Sequence, residues 1–483
     1  METPDDTRLK ARCNGFVTWA AYAHRPWAHH GAPGQQPPLS RRTFDMHIRH
    51  TLTAATLACG ALMASTAHAQ TEIQWWHSMG GALGEWVNDL AKDFNASQKD
   101  YKIVPTFKGS YDESMTAAIA AFRAGNAPAI LQVFEVGTAT MMASKGAIVP
   151  VAEVMKKAGV TFDPAAYVPA VAGYYTAPNG QMLSFPFNSS TTVFFYNKDA
   201  FKAAGLDADK PPRTWPEVAL AAAKLKTSGH KCPLTISWMG WTQLESFSTW
   251  HNTLYASQNN GFGGTSARLN VNSPLHLRHI ENLSNMAKQG LFVYKGRGNA
   301  ADATFVSGEC AMEAASSSLY GNVARNAKFA YGISTLPYYP DVPGAPQNTI
   351  IGGASLWVMS GKKEAEYKGV AQFFAHLSKP EVAAASHQRT GYLPVTKAAY
   401  ELTEKSGFYK KNPGTDVAVE QMIRKTTDKS RGVRLGNFVQ IRTIVDEELE
   451  GVWGGKREPK EALDAIVKRG NEQLERFEKA NKN

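Results

Sequence analysis

The switching of apolar periods between residues 72 and 135 most constrains the fold. Residues 72–76 (EIQWW) read as a strand. Residues 82–95 change to helical spacing, with Leu83, Trp86, Val87, Leu90, Ala91 and Phe94 on one face. Residues 101–107 alternate as a second strand, 111–124 form a helix, and 129–135 read as a buried strand. Strands alternating with helices predict an α/β protein with mostly parallel sheets flanked by helices on both faces.

The order repeats with different spacing. Helices are expected over 137–145, 150–158, 215–229 and 274–289, the last with Ser273 as N-cap. An apolar strand candidate covers 309–314. Further segments follow at 350–359, 363–377, 380–388, 413–423 and 433–453, and Pro459 opens a final helix to 479. At 483 residues the chain is too long for one core and comfortable for two domains. No internal repeat, low-complexity tract or long linker separates them, so two α/β lobes are expected.

Residues 46–69 (MHIRHTLTAATLACGALMASTAHA) carry a positive start, a short apolar run and a small-x-small cleavage site at Ala67-His68-Ala69. That is an export signal, too short in its apolar part to span a bilayer. Residues 1–45 are read as an upstream extension, with Met46 the start. The alternative keeps the extension as real, because Ser40-Arg41-Arg42-Thr43-Phe44 resembles a twin-arginine export motif. Both readings export the protein. Removing residues 1–69 takes away 7 basic and 4 acidic residues and leaves +7 of the formal +10 charge. The remaining Lys and Arg are dispersed, so no nucleic-acid partner is expected. Of the four cysteines, Cys13 and Cys59 lie in the removed part. Cys232 and Cys310 stay in an oxidising compartment, where they serve as a disulfide or remain free thiols.

Catalytic signatures are missing from the sequence: no HExxH, GxSxG, P-loop or strand-linked GxGxxG is present. No metal, no cofactor and no enzyme activity are expected. His276 and His279 share a helix face without a third ligand, and Asp446, Glu447, Glu448 and Glu450 spread over two helix faces as a solvated surface. Binding features are richer. Residues 188–192 (NSSTT) precede the apolar run 193–196 and read as a polar mouth on a buried strand. Residues 315–322 (ASSSLYGN) read as an anion-holding helix start or a plain N-cap. Trp238 and Trp241 are three apart and either stack on a ligand or are structural. Arg442 lies in an apolar run and either grips a phosphate or serves an ordinary ion pair.

Several segments together resemble one family. They are WHSM at 76–79, YKIVPTFKGSYDES at 101–114, AAFRAGNAPAILQVFEVGTATMMASKGA at 120–147, PFNSSTTVFFYNKDAF at 186–201, APQNTIIGGASLWVM at 345–359, GYLPVTKAAYELT at 391–403 and LGNFVQIRTIVDEELE at 435–450. They are similar to the extracellular solute-binding proteins of ABC importers, and within them to the glycerol-3-phosphate-binding group. The resemblance implies a two-lobe, type II periplasmic binding protein with its ligand in the cleft between the lobes. Lobe 1 is expected over 70–187 with a return at 351–400, and lobe 2 over 188–350. Residues 401–483 are expected as C-terminal helices across lobe 2 and the hinge.

The implied ligand is sn-glycerol 3-phosphate or a diester of it such as glycerophosphocholine. The implied partners are permease subunits with a cytoplasmic ATPase, and the protein is expected as a monomer. Ligand contacts carry over onto Tyr111, Glu135, Ser190, Ser316, Gly353, Tyr392 and Arg442, with Trp238 and Trp241 lining the same cleft. Arg442 would face the phosphate, the serines and Gly353 would add neutral donors, and Glu135 would accept from glycerol hydroxyls. Two positions depart from the pattern: Phe134 and Phe107 stand where tyrosine is expected. An oligosaccharide-binding protein and an exported glycerophosphodiesterase are the alternatives.

Overall fold

The computed structural model describes residues 70–482. The upstream extension, the signal segment, the choice of export route and Cys13 and Cys59 lie outside the described residues. Ten strands form two sheets. They are β1 (Thr71–His77), β2 (Tyr101–Phe107), β3 (Ile130–Phe134), β4 (Ile148–Val149), β5 (Phe185–Ser190), β6 (Thr192–Asn197), β7 (Cys232–Ile236), β8 (Cys310–Ser316), β9 (Tyr331–Ser334) and β10 (Gly352–Met359). The first sheet runs β2-β1-β3-β10-β4, with β5 also on β10, and the second runs β7-β8-β6-β9.

The expected βαβ start is present. The helix Gly81–Ser97 buries Trp86, Val87, Leu90, Ala91 and Phe94, and β1 pairs parallel with both β2 and β3. Strand β1 buries Ile73, Trp75 and His77 and leaves Glu72 and Gln74 exposed, the period-two pattern of a half-covered strand. The helix Tyr111–Arg123 starts at a capping box between Ser110 and Glu113, so the loop after β2 ends at a defined point.

The pairing is not mostly parallel. Beyond β1–β2 and β1–β3, only β7–β8 runs parallel; β10 is antiparallel to β3, β4 and β5, and β6 is antiparallel to β8 and β9. The reason is the crossing between sheets. Strand β5 leaves the first sheet for the second and β10 returns from it, so neighbours made by leaving and returning run in opposite senses.

The 188–192 cluster also differs from its expected form. It is not a mouth in front of one strand. Asn188, Ser189 and Ser190 complete β5 in the first sheet, Thr191 is the hinge-like link, and Thr192 begins β6 in the second. Thr191 is pinned there: its Oγ1 lies 2.8 Å from the carbonyl of Ile350, on the return strand's approach, and its carbonyl accepts from the Ser317 N–H at 2.8 Å. Outgoing and returning chain are therefore tied side by side.

In the second sheet Phe194, Phe195, Leu234 and Met312 are fully buried. Cys232 and Cys310 are register partners on β7 and β8 and are joined in a disulfide, with Cα atoms 4.5 Å apart. The helix Phe438–Trp453 packs on Pro459–Asn481 and Pro274–Lys288, and also meets the turn that follows β3 in the first sheet. Among the described residues no helix is long and apolar enough to cross a membrane.

Candidate functional site

All nine residues expected at the ligand line a single cavity: Tyr111, Glu135, Ser190, Trp238, Trp241, Ser316, Gly353, Tyr392 and Arg442. Phe134 and Ser318 complete its wall. Most arrive on strand ends, turns or helix starts, as ligand sites in α/β sheets do, and Arg442 comes from the second turn of the helix Phe438–Trp453. The cavity itself is narrow, about 50 Å³. It continues past Tyr111, Trp238, Ser318 and Tyr392 into a cleft of about 690 Å³.

Tyr111 is the first residue of its helix and stacks on Phe134, ring centroids 4.9 Å apart and ring planes nearly parallel. A relay fixes its hydroxyl. The Ser78 N–H donates to Gln132 Oε1 (2.8 Å), Gln132 Nε2 donates to Asn188 Oδ1 (2.9 Å), and Asn188 Nδ2 donates to the Tyr111 oxygen (3.1 Å). The Tyr111 O–H proton is left to point elsewhere. Burial, with Tyr392 next, raises the Tyr111 phenol well above its ordinary value, so it stays a donor. Burial likewise pushes Tyr392 up to about 12. The phenylalanine at 134 thus costs the wall one hydroxyl and supplies the platform for Tyr111.

Serines supply neutral groups. Ser190 is buried and lines the cavity, and its hydroxyl makes no hydrogen bond among the described residues. Ser316 ends β8 and receives the Ser318 N–H at 3.2 Å, with the two hydroxyls 2.9 Å apart. Ser316 is thus the N-cap of the turn that follows, the plain-cap reading of this segment, and its side chain also lines the cavity. Gly353 is forced: its φ is +81°, it faces Ser189 across β5–β10, and an added Cβ would fall 1.8 Å from the Asn188 carbonyl oxygen.

The tryptophans do not share a helix face. Trp238 has a left-handed backbone (φ 51°), and Trp241 opens a π-helical turn, Trp241–Glu245, a wide turn common near functional sites. The Trp241 indole N–H donates to the Ile351 carbonyl (3.3 Å), and its ring fills the space a Cβ on Gly352 would need.

Arg442 makes the ion pair its sequence context allowed, and does so at the cavity wall. It lines the cavity, and it is held in an ion triad. Nη2 lies 2.6 Å from Glu135 Oε1, while Nε and Nη2 grip both oxygens of Glu245 at 2.8 and 2.9 Å. Glu135 is 5% exposed and Glu245 1%. Burial raises the Glu135 carboxyl above its ordinary range against the pull of Arg442. Nη1 makes no hydrogen bond among the described residues, so two N–H donors remain on the guanidinium.

Glu245 is the residue that sequence reading missed. Its signal was present: it is the only charge between Trp238 and Trp250. A lone carboxylate in such a run needs a buried partner.

Other candidates resolve as structure. His276 lies between Ser248 and Ser273, and His279 reaches Gln243 and Tyr339. Burial lowers both imidazoles. The acidic run is not simply solvated: Glu448 is buried against Arg457 and Arg469, and Glu450 binds Arg297. Among the described residues no group of three or more His, Cys, Asp or Glu is placed to hold a metal ion.

The model of the bacterial extracellular solute-binding protein family matches residues 89–416. The chain belongs to that family. It is 56% identical over 444 residues to the sn-glycerol-3-phosphate-binding periplasmic protein UgpB of Pectobacterium atrosepticum, covering 91% of this chain and all of the relative. It is also 56% identical over 432 residues to UgpB of Escherichia coli K12, covering 89% and 98%. Among solved structures, UgpB from Mycobacterium tuberculosis in complex with glycerophosphocholine superposes with a TM-score of 0.71 at 22% identity, over 84% of this chain and 99% of that one. The cyclic α-maltosyl-1,6-maltose binding protein from Arthrobacter globiformis superposes at 0.66 and 19% identity, over 84% and 100%. These likenesses give the solute-binding protein its two-lobe, type II fold.

Proposed function

We propose that this solute-binding protein is the periplasmic component of an ABC importer and binds sn-glycerol 3-phosphate or its diesters in the cleft. The bound solute is handed to a membrane permease driven by an ATPase. The observation that carries the reading is the convergence of nine residues, expected from separate motifs, on one cavity with a single guanidinium and several neutral donors. Arg442 offers Nη1 to a phosphate oxygen, and Ser190, Ser316 and Tyr111 add hydroxyl donors. Glu135 repels an anion but suits glycerol hydroxyls, which divides the site into an anionic end and a hydroxyl end. No covalent step is proposed. A cavity of about 50 Å³ is small for such a ligand, so the lobes must open for loading and close on the solute.

Calorimetric titration of the processed protein tests this. Glycerol 3-phosphate or a glycerophosphodiester should bind, and maltose should not compete. Losing a charge-assisted contact costs about 1.5–3 kcal/mol, so Arg442→Ala should weaken binding at least about tenfold. Ser190→Ala, which leaves the triad intact, should weaken it as well. An affinity of Arg442→Ala within about twofold of the parent would remove Arg442 from the site.

A further inference from the structure

Arg442 already serves two carboxylates, and the proposed ligand brings a third anion to the same guanidinium. One buried cation does not compensate three ionised partners at contact distance; one of them must move away or become neutral. Glu245 is the fixed member. Both of its oxygens are bound by Arg442, and it does not line the cavity. Glu135 holds the same guanidinium through one oxygen and lines the cavity, directly where the ligand would lie.

We propose that capture of the phosphate at Arg442 is coupled to uptake of one proton from solvent by Glu135, with Glu245 as the positioning residue that holds the guanidinium through the exchange. This rests on the function proposed above. The proton comes from the buffer and sits on a Glu135 carboxyl oxygen. The neutral carboxyl then donates its O–H to a phosphate or glycerol oxygen, while its other oxygen still accepts from Nη2. The site is poised for the change, since burial already holds Glu135 above the ordinary carboxylate range in the ligand-free protein.

The surroundings of Glu135 are mapped element by element. The helix Phe438–Trp453 presents Arg442 and Asp446, and the π-helical turn presents Glu245. The helix after β2 presents Tyr111 and Asp112, and the helix Pro169–Tyr175 presents Tyr174 and Tyr175, with Arg434 against Tyr174. The tyrosines are all raised by burial and stay neutral. Asp446, pushed up to about 6 by burial, and Asp112, also raised by burial, are the rival acceptors beside Arg442.

The test is proton counting by calorimetry, with glycerophosphocholine as the probe. A phosphodiester has no proton to gain near neutral pH, so any uptake belongs to the protein. Titrations in two buffers of different ionisation enthalpy, repeated from mildly acidic to mildly alkaline pH, give the count. About one proton should be taken up per ligand, and affinity should fall by up to about tenfold per pH unit above the ligand-free value of Glu135. Glu135→Gln should bind without uptake and with a flat pH profile, whereas Asp446→Asn should keep the uptake. Binding of the parent without net proton exchange overturns the inference. So does uptake that persists in Glu135→Gln, whichever neighbouring carboxyl then takes the proton. If Glu135→Gln does not bind, the parent's proton count and pH profile decide. Absence of any binding by the parent overturns the proposed function and this coupling with it.

Discussion

Replacing Gly353 with alanine is the sharpest probe of how fold and site depend on each other. Two costs act at once. A left-handed residue with a Cβ costs about 1–2 kcal/mol relative to glycine, and Gly353 has φ +81°. The new Cβ would also stand 1.8 Å from the Asn188 carbonyl oxygen and 3.3 Å from the Ser189 Cα. Those are backbone atoms in a paired strand, so β5 must shift, and overpacking of this kind costs about 1–3 kcal/mol. Together the loss of stability should be about 2–5 kcal/mol.

The displacement should not stay local. Asn188 carries the relay from Gln132 to Tyr111, and Ser190 lies two residues on. Urea unfolding followed by tryptophan fluorescence should show a lower midpoint with an unchanged slope. Calorimetry on the folded variant should show weaker ligand binding. A loss below about 1 kcal/mol would mean that β5 yields freely and that Gly353 is not required by its backbone.

The Cys232–Cys310 bridge closes a span of 78 residues, for which the chain-entropy treatment gives about 4–5 kcal/mol. The double serine variant should lose stability on that scale in urea, and a change under about 1 kcal/mol would refute it. A second prediction concerns Ser237, whose one hydroxyl is bonded to both Asp302 and Glu313. One O–H proton cannot satisfy two carboxylates, so the pair holds a shared proton, and burial pushes Asp302 up to about 6. A folded value above the unfolded one gives a contribution that is fully present below the unfolded value and is lost as pH rises through about 6. Stability should therefore fall between about pH 4 and pH 6, and Glu313→Gln should flatten that slope; an equal slope in the variant would exclude the pair as its source.

Much of the site was legible before any coordinates. The polar residues that line the cavity lie in short motifs after strands, and residue type alone gives each a hydrogen-bonding role. The face of Gly81–Ser97 was readable because helix period is a local property. The antiparallel pairing of β10 was not, since pairing direction depends on where the chain has been between strands. The polar 188–192 cluster read as a polar mouth in front of one strand because serine and threonine run against apolar neighbours; buried between two sheets, the same residues finish one strand and begin another.

The sequence by itself determined the alternation of strands and helices, the residue types of the site and the family to which they point. Only the tertiary structure decided what Arg442 is bonded to. Its partners Glu245 and Glu135 are 197 and 307 residues away in the chain, and nothing local to an arginine states whether distant carboxylates will reach it. Burial decides it, because a charge taken from water must find an opposite charge wherever the fold brings one.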